Sequence, residues 1–307
     1  MAKKRRNPYF LRFVRYPLEA AGLYSAVWLM RCLPIEIASN FGGWLGRNVF
    51  CRSAKNERVK RNLRLAFPEK TEQDVDLIAR GMWDNLGRVA IEYAFLGEIC
   101  DPLSGRVELS GLANSIIFNS DRYPCILASG HLANWEVLPV MAASHGVPMT
   151  SIIRDPNNPL IRKKLHDLRV VLGGKLASKG PDGVKQAMAA LRGGKVLAML
   201  IDQKLNGGIA IPFFGHPAMT TPAVAQLALR YRCPILLVRL ERTGPARFRV
   251  TCHSETALPN SGNLKNDVQD IMKLHNKVLE GWIRERPTEW LWLHRRWPDS
   301  VYEQMAA

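Results

Sequence analysis

The chain reads C-I-L-A-S-G-H-L-A-N-W-E from Cys125 to Glu136, and this stretch decides its fold class. Four apolar residues predict a short buried strand, Ser129-Gly130 predicts a turn, and the residues after them have a helical pattern. His131 therefore lies just past the carboxyl end of a predicted strand, and Glu136 lies in the first helical turn that follows. Strand, turn and helix in this order are the unit from which α/β folds are built.

His131 and Glu136 are candidates for acid–base chemistry, because a histidine held by a carboxylate can take a proton from an alcohol. An alcohol activated in this way can attack an acyl group. On one continuous helix the two side chains would lie about 140° apart, so only a turn ahead of the helix lets Glu136 fold back toward the ring. The alternative is a core histidine. The same spacing separates His275 from Glu280 in a predicted surface helix over 266–286, and we interpret His275 as structural.

Strand-like and helix-like segments alternate from about residue 107 onward. The predicted strands are 125–128, 149–153, 196–201, 235–240 and 248–252, and the helices between them are 133–145, 158–172, 182–192 and 221–232. The sequence therefore predicts an α/β fold with a mixed central sheet flanked by helices. Ligands of open α/β sheets bind beyond the carboxyl ends of the strands. His131, Arg154 and Asp202 each follow such an end.

The N-terminal part has a different composition. Residues 1–64 hold 14 Lys and Arg but three acidic residues, with aromatic and apolar residues between them. This mixture fits a cytoplasmic membrane interface. Arg31 and Pro34 interrupt the apolar run, which is shorter than the roughly 18 residues of a membrane-spanning helix. We expect residues 1–50 to form helices that associate with a membrane, either lying in its surface or only partly inserted, ahead of an α/β domain over 51–307. A buried core helix is the alternative.

Glycine, proline and hydroxyl residues predict where the N-terminal helices begin and end. We expect helical structure over 17–50 with a break at Gly42-Gly43, and a basic helix over 53–67. Thr71 is expected to cap a further long helix, because acidic residues follow it in the first turn.

Net charge limits the partners. The chain of 307 residues has a formal net charge of +16, which suits nucleic acid, an anionic membrane or an acidic protein. A nucleic-acid-binding protein without enzymatic activity is one hypothesis, but no nucleic-acid motif appears and we expect no such partner. The six cysteines have no metal-binding spacing, which predicts a reducing compartment and no bound metal.

Further polar and aromatic segments have two interpretations each. Arg154 could hold a phosphate or an oxyanion, or pair with Asp155. Asp202 could orient a base or a substrate hydroxyl, or cap a turn. The apolar run 211–215 could line an acyl slot or pack in the core. The tryptophan-rich run 289–297 could form an amphipathic rim near a membrane or a strand packed on the core.

Several motifs together resemble the lipid A biosynthesis (late) acyltransferases of the lauroyl/myristoyl type, within the lysophospholipid acyltransferase-like group. That group is marked by H-x4-D/E, here His131 to Glu136. The other matching motifs are R-N-L-R-L-A-F-P at 61–68, S-G-H-L-A-N-W-E at 129–136, R-D-P-N-N-P at 154–159, P-F-F-G at 212–215 and W-L-W-L-H-R-R-W at 290–297.

The resemblance implies an enzyme on the cytoplasmic face of the inner membrane. Such an enzyme moves a fatty acyl chain from acyl carrier protein onto a hydroxyacyl chain of a Kdo-bearing, anionic lipid A precursor. It implies no cofactor and no metal. An acyl-CoA-dependent lysophospholipid acyltransferase is the alternative, since the same chemistry would serve it.

The resemblance also implies roles for individual residues. His131 would be the general base and Glu136 its partner. The residues expected to contact the substrate are Asn134, Arg154, Arg169, Asp202 and Gln203. The chain has Asp202-Gln203-Lys204 where some relatives have a D-x-D run, so the role of Asp202 stays open.

Overall fold

The computed structural model describes residues 11–111, 124–147, 149–153, 158–163, 175–178 and 181–304. Within these ranges a π-helical turn spans Leu11–Arg15, and residues 159–163 are helical. Helices α1 to α10 occupy Tyr16–Arg31, Ile35–Asn48, Asn56–Ala66, Glu72–Glu92, Leu96–Ile99, Val137–Ser144, Pro181–Arg192, Ala223–Tyr231, Leu264–Glu285 and Asp299–Gln304.

The central sheet is mixed and mostly parallel, as the sequence predicts. Strands β1 to β5 are Val107–Ser110, Cys125–Ser129, Met149–Ile153, Lys175–Ser178 and Val196–Leu200. Strands β6 to β9 are Ile209–Phe213, His216–Thr220, Ile235–Gly244 and Arg247–Thr256. The seven-stranded sheet has the order β1-β9-β8-β2-β5-β3-β4, and β8 pairs antiparallel with β9. Strands β6 and β7 form a separate antiparallel hairpin.

Strand β2 lies inside this sheet between β5 and β8, and both pairings are parallel. All five of its residues are buried. A strand covered on both faces reads as a continuous apolar run, which explains why this segment was recognisable from the sequence. Ser129 at its end is paired with Leu200 of β5, and the Ile201 amide donates to the Ser129 carbonyl at 2.9 Å. The chain segments that leave β2 and β5 therefore start side by side.

The N-terminal helices break at a different place from the one predicted. Helix α1 ends at Arg31 and α2 begins at Ile35, directly after Pro34. Gly42 and Gly46 lie inside α2, where they pack against α4: a Cβ on Gly46 would lie 1.9 Å from the Trp83 carbonyl oxygen. The glycines allow two helix backbones to touch. The expected break at Gly42-Gly43 is therefore wrong.

Other local predictions are confirmed or extended. The Thr71 hydroxyl caps α4 and forms a reciprocal capping box with Asp74. Strands β1 and β4 and the β6–β7 hairpin were not predicted. Strands β1 and β4 have four residues each and lie at the two edges of the sheet, where the apolar pattern is weak.

The C-terminal tryptophans settle one of the two interpretations of their segment. Trp290, Trp292 and Trp297 are 0–1% exposed, so they pack in the core and do not form a rim. The segment is not a regular strand, and Trp290 makes one isolated bridge to Leu132. Phe213 and Phe214 are also buried, in contact with these indoles. The two phenylalanines of the P-F-F-G run therefore pack in the core, whereas Pro212 and Gly215 are exposed.

Among the described residues, we find no helix with the length and apolar content needed to cross a bilayer. Helices α1 and α2 nevertheless expose large apolar side chains, including Leu18, Trp28, Ile37, Phe41 and Trp44. Helix α1 also touches the segment that follows β3: the Tyr24 hydroxyl donates to the Leu160 carbonyl at 3.0 Å, and the Asn158 amide donates to the Tyr16 carbonyl at 3.0 Å.

Candidate active site

His131 and Asp202 come together at the carboxyl ends of β2 and β5. Both segments leave the sheet side by side, and a Cβ on Gly130 would make a tight contact with Oδ2 of Asp202, at 3.3 Å. Oδ1 of Asp202 lies 2.7 Å from Nδ1 of His131. The imidazole is largely buried, with 11% of its side-chain surface exposed.

Asp202 is held as an ionised carboxylate. Its Oδ2 accepts hydrogen bonds from the His131 backbone amide and from Nε1 of Trp290, both at 2.7 Å. Burial alone raises the pKa of the Asp202 carboxyl, but the adjacent His131 and these donors together keep that pKa well below its usual range. Three donors, the His131 amide, Nδ1 of His131 and Nε1 of Trp290, fix the orientation of this buried carboxylate. The carboxylate in turn fixes the orientation of the imidazole.

The hydrogen bonds around the imidazole define its tautomer. A carboxylate accepts, so the proton of a neutral His131 ring lies on Nδ1 and the lone pair lies on Nε2. Nε2 of Gln203 lies 3.0 Å from Nε2 of His131 and donates to that lone pair. The ring therefore has the arrangement of a general base: one nitrogen anchored by a carboxylate, the other able to take a proton.

The carboxylate on Nδ1 differs from the one that the sequence motif indicates. Glu136 is the residue before α6 and has helical dihedral angles. The hydrogen-bond partners of the two ring nitrogens of His131 are instead Asp202, on Nδ1, and Gln203, on Nε2. The sequence left three roles open for Asp202, orienting a base, orienting a substrate hydroxyl or capping a turn, and the structure shows that it bonds to the imidazole. Whether Glu136 takes part in catalysis stays a prediction.

The model of the bacterial lipid A biosynthesis acyltransferase family matches residues 8–299. The chain belongs to this family. The lipid A biosynthesis acyltransferase of Haemophilus influenzae is 22% identical over 88% of this chain and 86% of its own length. The lipid A biosynthesis lauroyltransferase of Escherichia coli is 24% identical over 94% of both chains. The solved structure of the 1-acyl-sn-glycerophosphate acyltransferase of Thermotoga maritima covers 86% of this chain with 11% identity and a TM-score of 0.38.

The other predicted site residues of this acyltransferase have different places. Asn134 is fully buried, and its amide donates to Oε2 of Glu92 at 3.0 Å. This bond anchors the histidine loop (residues 130–136), and the expected contact of Asn134 with the substrate stays a prediction. The side-chain amide of Gln203 donates to Nε2 of His131. Arg154 and Arg169 lie outside the described residues.

Glu92 and Arg242 form a buried ion pair beneath the histidine loop. Arg242 donates from Nη1 and Nη2 to the two carboxylate oxygens of Glu92, at 2.5 and 3.0 Å. Burial by itself raises the pKa of Glu92, but Arg242 and the other donors hold it below its usual value. The amide of Asn85 donates to the Ala133 carbonyl at 3.0 Å, so both α4 and the ion pair support this loop.

Sequence reasoning left the functions of Trp290 and His294 open. Both belong to the W-L-W-L-H-R-R-W motif. In the structure the Trp290 indole donates to Asp202, and the His294 imidazole is hydrogen-bonded to Gln203. The residue pattern of the motif does not predict either bond. In the part of the chain that the structure describes, no three His, Cys, Asp or Glu side chains are grouped as a metal site requires.

Proposed function

We propose that this protein transfers a fatty acyl chain from acyl carrier protein to the hydroxyl of a hydroxyacyl chain on a Kdo-bearing lipid A precursor. Membership of the lipid A biosynthesis acyltransferase family supports the reaction class. The observation that carries the mechanism is the 2.7 Å contact between Asp202 and Nδ1 of His131, which puts the ring proton on Nδ1 and the basic lone pair on Nε2.

The reaction needs one base and one leaving group. Nε2 of His131 takes the proton of the acceptor hydroxyl while its oxygen attacks the thioester carbonyl carbon. Asp202 stabilises the imidazolium that forms. The tetrahedral intermediate then collapses, the carbon–sulfur bond breaks, and the thiolate of phosphopantetheine takes the proton from Nε2 and leaves as a thiol. Base catalysis of this kind contributes about 10²–10⁴-fold. The chemistry requires no metal or cofactor.

Charge favours the two substrates that we assign. Acyl carrier protein is an acidic partner and the acceptor is an anionic phosphosugar lipid, and a protein of net charge +16 attracts both. The expected contacts of Arg154 and Arg169 with these anionic groups, and the role of Glu136 beside His131, remain part of this proposal.

We further propose that α1 and α2 dock on the cytoplasmic face of the inner membrane. Trp28 and Trp44 are 68% and 48% exposed, and indoles favour the membrane–water interface. The contact of Tyr24 with Leu160 keeps α1 beside the segment that follows β3. Strands β2, β5 and β3 are parallel, so this segment leaves the sheet on the same side as His131. A lipid acceptor held in the membrane surface would thus lie near the base.

Product analysis tests the reaction. Purified protein is given each donor, acyl carrier protein thioester or acyl-CoA, with each acceptor, the Kdo-bearing precursor or a lysophospholipid, and products are identified by mass spectrometry. We expect one added acyl chain with acyl carrier protein and the precursor. His131→Ala should lose at least about 10²-fold in rate, whereas His145→Ala, at an exposed helix end, should not. Preferred transfer from acyl-CoA to a lysophospholipid would establish the alternative function.

Vesicle binding tests the membrane surface. Trp28→Ser and Trp44→Ser together should reduce sedimentation with phosphatidylcholine–phosphatidylglycerol vesicles. Leu103→Ser is the matched control, because Leu103 is 95% exposed on a short 3₁₀ helix outside α1 and α2. Equal binding of all three proteins would refute docking through these helices.

A further inference from the structure

Gln203 connects two histidines, of which the mechanism so far uses one. Its Nε2 lies 3.0 Å from Nε2 of His131 and 3.2 Å from Nε2 of His294. The two imidazole centroids are 5.5 Å apart. An amide nitrogen has two hydrogens and no acceptor capacity. Each hydrogen therefore points at one imidazole, and both imidazoles accept through Nε2.

We propose that His294 is a positioning residue for acyl transfer: it holds the Gln203 amide with its N–H groups toward the reacting atoms, where Gln203 donates to the oxygen that becomes charged. This inference rests on the proposed function. It adds one donor to the site and one titratable group that controls that donor.

The single lone pair on Nε2 of His131 forces an exchange. In the free protein Gln203 donates to that lone pair, and an acceptor hydroxyl must take the same place to give up its proton. Gln203 keeps its second bond, to His294, so its amide stays within about one hydrogen-bond length of the incoming oxygen. The N–H released from His131 then points toward the thioester carbonyl oxygen, which gains negative charge when the incoming oxygen attacks. A preorganised donor of this type contributes about 10²–10³-fold.

Protonation of His294 would reverse the orientation of the amide. An imidazolium has no lone pair on Nε2, so it repels the Gln203 N–H and attracts Oε1 instead. The turned amide presents Oε1 to His131, where it cannot stabilise a developing negative charge. Activity therefore needs two neutral imidazoles. Charged groups near this pair include Asp202, which is hydrogen-bonded to His131, and the buried Arg296, which interacts electrostatically with Asp202 and bonds to Thr220 and the Met219 carbonyl.

The segment that carries His294 is anchored through its main chain. Nδ2 of Asn62 donates to the carbonyl oxygens of Trp292 and His294, at 2.6 and 2.8 Å. Substitution of the imidazole leaves these bonds intact. Variants of His294 are therefore expected to fold, and their kinetics report on the side chain.

A double-mutant cycle tests whether His294 acts through Gln203. In full-length protein with acyl carrier protein thioester and the precursor, His294→Phe should lower kcat by about 10²-fold with little change in KM. His294→Gln, whose amide oxygen accepts at any pH, should recover most of this loss. In a Gln203→Met background, His294→Phe should cost nothing further. Independent, additive losses, or a loss below about twofold for His294→Phe, would overturn the inference.

The pH profile separates positioning from simple support of the fold. The acid limb of log kcat against pH should approach a slope of two in the unmodified protein and of one in His294→Gln. A histidine that only supports the fold would leave the slope unchanged, and that result overturns the inference. Titration of nitrogen-labelled His131 by NMR gives the same comparison without substrate: an unchanged curve in His294→Gln rejects the coupling whatever the activity. Failure of the proposed function is distinguishable from these results, because it appears as no acyl transfer to the precursor by the unmodified protein.

Discussion

Arg242 and Glu92 form a two-bond ion pair in the interior, directly beneath the loop that carries His131. The Glu92 side chain is fully buried and also accepts from Ser39 at 2.7 Å and from Asn134 at 3.0 Å. The pair therefore connects α2, α4 and β8 to the histidine loop. A buried charge of this kind is tolerated only while its partner is present.

Arg242→Met should destabilise the fold strongly, because it leaves the Glu92 carboxylate buried without its cation. We expect a loss of about 3–5 kcal/mol in the free energy of unfolding, measured by urea denaturation. The double variant with Glu92→Gln should recover part of this loss. Asp299→Asn is the control, because it breaks the exposed pair with Arg295 and should cost less than about 1 kcal/mol. Equal losses for the buried and exposed pairs would contradict this account of the loop.

Gly46→Ala should destabilise the contact between α2 and α4. The added Cβ would lie 1.9 Å from the backbone oxygen of Trp83, so one helix must move, at a cost of about 1–3 kcal/mol. Gly22→Ala is the matched control in α1, where a Cβ meets nothing within 4 Å. That change should leave stability equal or raise it by about 0.5–1 kcal/mol. Thermal unfolding of both variants measures these changes in stability. A Gly46→Ala protein as stable as Gly22→Ala would refute the close approach of α2 and α4.

His275 should make stability fall at mildly acidic pH. It is fully buried in α9, its Nε2 lies 3.1 Å from the Thr256 hydroxyl, and burial lowers its pKa from 6.5 to about 4. Between these values the unfolded chain binds a proton that the folded protein does not, so the free energy of unfolding decreases as pH falls from 6.5 to about 4. The decrease amounts to about 3 kcal/mol for this group.

Comparison with His275→Gln isolates that contribution, because glutamine keeps a hydrogen-bonding side chain and does not titrate. Urea denaturation across this pH range should show a flatter dependence for the variant by about the same amount. Parallel curves for the two proteins would show that His275 is not the responsible group.

The sequence predicted those features of the fold that depend on local pattern. Met149–Ile153 was predicted residue for residue as a strand, and Thr71 was predicted as a helix cap. Both follow from a few neighbouring side chains. The Gly42-Gly43 break was wrong because a glycine pair that permits close helix packing looks the same in sequence as one that ends a helix.

The candidate site was predictable in part. Both His131 and Asp202 were predicted to follow the carboxyl ends of strands, which puts them on the same side of a parallel sheet. Their contact, however, depends on the register between β2 and β5. The short spacing to Glu136 drew attention to a carboxylate nearby in sequence, whereas the ring is held by one 71 positions away. The bond from Trp290 to Asp202 depends on tertiary packing that no periodicity encodes.

Turnover of Asp202→Asn tests the central claim most directly, since that claim makes the Asp202 carboxylate the group that sets the tautomer of His131. An asparagine amide at this position donates to Nδ1 and moves the ring proton to Nε2, which removes the base. Asp267→Asn is the control, because Asp267 is also buried and accepts from the Ser261 backbone outside the site. We predict that kcat falls by about 10²–10⁴-fold in Asp202→Asn and by less than about twofold in Asp267→Asn. A folded Asp202→Asn protein that turns over within about twofold of the unmodified protein would contradict the account.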